Sequence, residues 1–139
     1  MPEESTTPDL VELTRQAIGA AQRGDWEAAM GLFAPDVAWE SLDGLGMFEG
    51  ATAVRGFLED FRSGYETFDT EPEEILEVGD GVIFVVIRHK GRLRGGAGGV
   101  EGRFAWAVAS EGGLVAHVTA GSDIGEVRRA AEQLAQERR

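Results

Sequence analysis

The chain has 139 residues, of which 42% are hydrophobic, so it is long enough for a single domain with a hydrophobic core. Its formal net charge of −12 disfavours nucleic acid and anionic membranes as partners, and the absence of cysteine excludes disulfides, thiolate metal sites and a cysteine nucleophile. No apolar run approaches about 18 residues and no basic-then-apolar leader is found, so we expect a cytoplasmic protein without a membrane span.

Apolar residues at helical spacing predict two helices at the start of the chain. Residues 1–6 are expected to be disordered, and Thr7 and Pro8 suit the N-cap and first position of the first helix. Asp25 caps the second helix, which Pro35 ends. The predicted buried face of the second helix comprises Trp26, Ala29, Met30 and Phe33.

After the second helix, the hydrophobic period changes from about 3.6 to 2 residues as the chain proceeds, which predicts mainly strands joined by glycine-rich turns. In chain order, the predicted elements are a strand at 37–40, a brief strand around 47–48, a helix at 51–63, strands at 68–78, 82–94, 100–109 and 114–121, and a helix at 124–137. Asp123 and Glu126 form a capping box at the start of the last helix.

This order predicts an α+β fold in a single domain over residues 1–139. Short turns join the last four strands, so these neighbours are expected to be antiparallel. A curved, mostly antiparallel sheet wrapped around the N-terminal helices makes a cone, with a pocket between sheet and helices and an extra C-terminal helix. The acidic residues of 66–80 and the basic residues of 88–103 are expected to pair across neighbouring strands.

Three stretches of the sequence, GDWEAAMGLFAPDVAWE (24–40), FEGATAVRGFLEDF (48–61) and EGGLVAHVTAGSDIGEVRRAAEQLA (111–135), resemble the SnoaL-like branch of the nuclear transport factor 2-like superfamily. The resemblance covers roughly residues 8–135, and it implies the cone fold, a pocket for a small molecule and a homodimer formed through the sheet. The superfamily includes ketosteroid isomerases, polyketide cyclases, epoxide hydrolases, dehydratases and members without known activity, so the fold alone does not identify a reaction.

The steroid isomerases of this superfamily allow a specific test, because they use a carboxylate base, a tyrosine and a protonated carboxylic acid. When the family pattern is laid on this sequence, the base position falls on Ser41, the tyrosine position on Ala17 and the acid position on Phe104. A hydroxyl cannot take a carbon-bound proton at neutral pH as a carboxylate does. A steroid-isomerase mechanism is therefore not expected.

Two histidines are the candidate acid–base groups, because an imidazole titrates near neutral pH. Strand alternation predicts which residues share a face with His89 and which share a face with His117. The resemblance implies that both faces line the pocket. The neighbours expected there, including those of the strand between, are Val85, Ile87, Phe104, Trp106 and Thr119. The alternative for each histidine is a role in packing alone.

Asp43 and Glu40 are the candidate carboxylates that could assist a histidine. Asp43 lies in a glycine-flanked loop and Glu40 at a strand end, and the alternative for both is a solvated position. The predicted substrate-binding set is completed by Phe57, Phe61 and Met47. Arg55 and Arg62 are placed on the third helix away from its apolar stripe, so neither is expected to bind an anion.

These residues predict a pocket protein for a small, largely apolar molecule, with no metal and no cofactor. The expected enzyme is a cyclase, isomerase or hydrolase of a polyketide- or terpenoid-like compound, with His117 as general acid or base. The alternatives are a non-catalytic binding protein and a dimerising accessory protein.

The glycine-rich stretch 92–103 is interpreted as a hairpin tip, because it lacks the strand–loop–helix context of a phosphate loop. Lys90 is the single lysine among 13 basic residues, which indicates a GC-rich bacterial genome.

Overall fold

The chain forms four helices and six strands in a computed structural model that describes residues 10–96 and 98–139. In chain order they are α1 (Leu10–Gln22), α2 (Trp26–Met30), β1 (Phe33–Ser41), β2 (Met47–Glu49), α3 (Ala51–Ser63), β3 (Tyr65–Gly79), β4 (Val82–Leu93), β5 (Gly99–Glu111), β6 (Leu114–Gly121) and α4 (Ile124–Glu137). None of these helices is both long enough and apolar enough to cross a membrane. The expectations for residues 1–6, Thr7 and Pro8 lie outside the described residues.

All six strands form one sheet in the order β2-β1-β6-β5-β4-β3. Neighbouring strands are antiparallel, except that β1 and β6 are parallel. The fold is therefore the expected α+β arrangement of a curved, mostly antiparallel sheet with helices before and after it. Val85 pairs with Trp106, and Trp106 pairs with Ala120, so these three residues form one row on the same face of the sheet.

The second helix is shorter than predicted, and Phe33 lies in a strand. α2 ends early because Gly31 closes it with backbone hydrogen bonds to the preceding turn. The Val115 N–H then donates to the Leu32 carbonyl at 2.9 Å, which places the following residues in the sheet. Pro35 consequently lies inside β1 instead of ending a helix. It occupies the stretch where pairing with β6 is interrupted, so its missing N–H breaks no regular ladder.

The sheet has a hydrophobic core on each of its two faces. The inner face packs against the N-terminal helices and α3, where Leu13, Ile18 and Val54 are buried. The outer face packs against α4, and the side chains there are Val82, Phe84, Val86, Ala105, Ala107 and Ala109 from the sheet and Val127, Ala131 and Ala135 from the helix. Asp123 caps α4 as predicted, since its carboxylate accepts a hydrogen bond from the Glu126 N–H at 3.0 Å. The extra helix thus covers the apolar part of the outer face.

The predicted charge pairing between strands is present at Glu73 of β3. Its carboxylate lies 3.6 Å from the guanidinium of Arg88 and 3.5 Å from that of Arg103. All three side chains are partly exposed to solvent, so each ion pair contributes little to stability.

Candidate functional site

A cavity of about 290 Å³ lies between the inner face of the sheet and the helices α1, α2 and α3. This volume is near the lower limit of small-molecule sites, about 300 Å³. Its wall consists mainly of aromatic and aliphatic side chains. Leu45 and Phe61 both line the cavity and are exposed to solvent, so they mark its mouth.

Seven ring side chains contact one another in a closed circuit around the cavity. Each ring centroid lies 5.2–6.4 Å from the next, which is typical of aromatic pairs. In order around the cavity the rings are Phe57, Trp39, Trp106, Phe104, His89, Phe68 and Phe61, and Phe61 contacts Phe57 again. All seven line the cavity. We call this set the aromatic circuit.

Local structure explains why these rings meet. Phe57 and Phe61 are four residues apart on α3 and therefore lie on one helix face. Phe104 and Trp106 alternate on β5, and both point to the inner face of the sheet. His89 follows on the same face of β4, because it stands two residues beyond Ile87, the pairing partner of Phe104.

His89 lies between the rings of Phe68 and Phe104, at centroid distances of 5.8 Å and 5.2 Å. Its Nδ1 is buried and has no hydrogen-bond partner among the described residues. Burial also lowers the pKa of His89 below its ordinary value of 6.5, because desolvation disfavours the charged ring. Gly102 pairs with His89 across the ladder, and a Cβ at Gly102 would stand 3.1 Å from Nε2. The imidazole is therefore closely packed, and its surroundings favour the neutral form over the charged one.

The predicted placement of His117 in the cavity is wrong, and so is that of Thr119. The pairing of β6 with β5 shifts after Ala109, which pairs with His117, so that Val115 is the next paired residue of β6. This bulge reverses the alternation, and Val118 takes the inner face instead. Neither His117 nor Thr119 lines the cavity. Thr119 is buried, and it pairs with a residue of the outer core.

The two candidate carboxylates differ in position. Glu40 does not line the cavity, because its neighbours Trp39 and Ser41 take that face of β1. Asp43 does line it, but its carboxylate accepts hydrogen bonds from the Ser122 N–H at 3.0 and 3.1 Å and from the Ser122 hydroxyl at 3.1 Å. The Ser41 hydroxyl accepts from the Asp43 N–H at 3.1 Å, so this group organises the loop.

The predicted substrate-binding side chains are only partly in the wall. Phe57, Phe61, Phe104 and Trp106 line the cavity. Val85 and Ile87 share the inner face but are fully buried and do not line the cavity, and Met47 is half exposed and does not line it either.

Several polar residues of the wall were not predicted, among them Gln22 and Arg62, and the expected placement of Arg62 away from the pocket is wrong. Gln22 of α1 donates from Nε2 to the Phe68 carbonyl at 2.7 Å and accepts from the Thr70 N–H at 2.9 Å, so it ties α1 to β3. Arg62 of α3 also lines the cavity and donates from Nη1 to the Tyr65 carbonyl at 3.2 Å. Arg62 could have been identified from a wider helix face than the apolar stripe, since residues 57, 58, 61 and 62 of α3 all line the cavity.

No group of three or more His, Asp or Glu side chains that could hold a metal ion is found within 10–96 and 98–139. The glycine-rich stretch forms the tip of the β4–β5 hairpin, where the Leu93 N–H donates to the Gly98 carbonyl at 3.3 Å.

A comparison with family models identifies one domain in the chain. Residues 14–118 match the model of the SnoaL-like domain. A search among curated proteins gave no match.

Solved structures share the fold over most of the chain. An NTF2-like protein of unknown function from Burkholderia pseudomallei is 23% identical, with a TM-score of 0.72, covering 86% of this chain and 94% of that one. A putative polyketide cyclase from Sinorhizobium meliloti is 21% identical, with a TM-score of 0.68 and coverage of 84% and 99%. An LEH-like epoxide hydrolase from M. tuberculosis is 11% identical, with a TM-score of 0.71 and coverage of 96% of each chain. At these identities the likeness concerns the fold alone.

Proposed function

The chain belongs to the SnoaL-like domain family, and on this premise we propose that it binds a small, flat, largely apolar molecule inside the aromatic circuit. His89 is the polar contact of this ligand and the acid–base group of a reaction on it. One observation carries the proposal: seven rings close around a cavity, and one of them, His89, is an imidazole that can form a hydrogen bond.

The wall supports binding of a ring compound for two physical reasons. Burial of apolar surface away from water stabilises a complex by about 25 cal/mol per Å². Each well-placed aromatic pair adds about 0.5–1.5 kcal/mol beyond that burial. The rings contact one another and therefore hold their positions around the space, so little ordering is required when a ligand enters.

The imidazole of His89 supports a ligand with one polar group, because it lines the cavity and can form a hydrogen bond. Because burial lowers its pKa, His89 is neutral near pH 7 and can accept a proton.

We assign the reaction to the class of cyclisation, isomerisation or hydrolysis of polyketide- or terpenoid-like compounds. A neutral imidazole can remove an acidic proton from a carbon next to a carbonyl group or from a water molecule. The names of two structures with this fold, a putative polyketide cyclase and an epoxide hydrolase, support the same class. His89 takes the role that the sequence had given to His117.

The second candidate function is ligand binding without catalysis. It is favoured by one observation, since no carboxylate among the described residues bonds to His89, and Asp43, the candidate carboxylate that lines the cavity, is bonded to Ser122. A histidine base is usually oriented by such a partner.

Binding can be measured with 2-naphthamide, a flat neutral probe, through the tryptophan fluorescence. Trp26, Trp39 and Trp106 all line the cavity, so we expect saturable quenching. Ala17→Leu adds volume to the wall and should weaken binding about tenfold or more by steric exclusion. The matched control is Ala53→Leu on the exposed face of α3, which should bind normally. Quenching that does not saturate, or that is equal in both variants, would contradict the proposal.

Catalysis is separated from binding with 2-tetralone in D₂O, where NMR follows exchange of the protons next to the carbonyl. A base at His89 should accelerate exchange, His89→Gln should abolish the acceleration, and His117→Gln should retain it because that residue lies outside the cavity. Saturable binding with no acceleration by the unsubstituted protein would select the non-catalytic function.

The homodimer through the sheet remains a prediction, as do the cytoplasmic location and the bacterial origin. α4 covers the apolar part of the outer face. A second copy on that face would therefore meet α4 or the charged side chains around Glu73. We propose that self-association, where it occurs, uses this more polar surface.

A further inference from the structure

We infer that the ligand carries a planar acidic group, such as a carboxylate, which pairs with Arg62 at the mouth of the cavity. This inference rests on the proposed function, because it specifies the ligand of the same cavity. It narrows the ligand class from flat apolar molecules in general to flat apolar acids.

Arg62 is placed at the mouth by the helix that carries it. It directly follows Phe61, which is exposed and closes the aromatic circuit, and both residues line the cavity. Nη1 of Arg62 donates to the Tyr65 carbonyl at 3.2 Å, which fixes one side of the guanidinium. A guanidinium has five N–H donors in a rigid fork, so the remaining donors can pair with both oxygens of a carboxylate.

The charge of Arg62 is not neutralised by any of the described residues, although the chain has 25 acidic side chains. Arg103 also lines the cavity, but its guanidinium lies 3.5 Å from the carboxylate of Glu73. On the same helix, Arg55 bonds to Glu59 at 3.0 Å. Arg62 is thus the cation of the described wall that has no ion-pair partner.

The acidic side of the wall favours one orientation of such a ligand. Asp43 lines the cavity from the loop that follows β1, near Ser41, whereas Arg62 lines it from the end of α3. An anionic group is repelled by Asp43 and attracted by Arg62, and the rest of the molecule then lies between the rings. Because the whole protein carries a net charge of −12, attraction of an acid depends on this local cation.

The test compares 2-naphthoate with 2-naphthamide, which have the same ring but differ in charge. Affinities are measured by tryptophan quenching at about pH 8, where His89 is neutral and cannot supply the attraction. The wild type should bind the acid about tenfold or more tightly than the amide, as expected for a charged hydrogen bond. Arg62→Gln should abolish this preference while binding of the amide persists, and Arg62→Lys should retain part of it. Arg55→Gln, on the same helix but outside the cavity, should behave as the wild type.

The outcomes distinguish this inference from the proposed function. If the wild type binds acid and amide equally, or if Arg62→Gln keeps the preference for the acid, the role of Arg62 is wrong and the pocket stands. If neither compound binds the wild type, both the pocket function and the acidic ligand are wrong.

Discussion

At the scale of single residues, His89 shows how a strand position determines chemistry. The ring stands between two phenylalanines, and it can lie against β5 because its cross-strand neighbour is Gly102. The same packing that excludes water lowers its pKa and leaves Nδ1 without a described partner. A general base requires the neutral form of the imidazole, which burial in an apolar wall favours.

The lowered pKa of His89 predicts a specific dependence of stability on pH. As the pH drops below the ordinary pKa of 6.5, the unfolded chain binds a proton at His89 before the folded protein does. The free energy of unfolding therefore decreases as the pH decreases. The loss stops growing below the folded pKa. His89→Gln lacks this contribution. In urea denaturation between about pH 5 and 8, the wild type should lose stability relative to His89→Gln only below roughly 6.5.

A matched variant controls for the other histidine. His117→Gln should keep the part of the pH dependence that His89 causes, because His89 and its surroundings are unchanged. A constant difference between the wild type and His89→Gln over the whole range would show that the ring is not desolvated in the folded protein.

The residue scale is also where sequence reasoning failed most clearly. Alternation correctly placed His89 on the inner face, but it placed His117 there too. The bulge in β6 lies between Val115 and His117, in a stretch without glycine or proline, so the local sequence does not predict it. Arg62 was missed because a helix facing a cavity exposes a band of residues wider than the apolar stripe.

At the scale of elements, boundaries were predictable where capping chemistry fixes them. α4 begins after the Asp123 cap, as predicted. α3 also runs from Ala51 to Ser63 as predicted, although Gly50 at its start makes no side-chain capping bond. The boundary between α2 and β1 was not predictable, because Phe33 suits either a helix face or a strand. The backbone bond from Val115 to Leu32, which draws the chain into the sheet, is a long-range contact that the local sequence does not encode.

Two glycines in different elements should respond in opposite ways to alanine. A Cβ at Gly91 of β4 would stand 2.8 Å from the backbone oxygen of Thr67, so Gly91→Ala should destabilise the protein by about 1–3 kcal/mol. Gly56 lies inside α3 with open space around it, so Gly56→Ala should stabilise by about 0.5–1 kcal/mol. Midpoints of urea denaturation measure both. Equal shifts of one sign would contradict this account of the β3–β4 packing.

At the scale of the whole molecule, the two faces of the sheet are packed differently. On the outer face, small alanines let α4 pack directly on the strands. On the inner face, large rings contact one another and leave space between the sheet and the helices. The family resemblance predicted this architecture over nearly the whole chain, whereas the identity of the polar residues in the wall depended on register and could only be seen in three dimensions.

A crystal structure of the protein soaked with 2-naphthoate tests the central claim most directly. The account predicts density for the naphthalene ring inside the aromatic circuit, between Trp106 and Phe61, with the carboxylate at Arg62. Density at a different surface, or an interior in which side chains fill the space between sheet and helices, would contradict it.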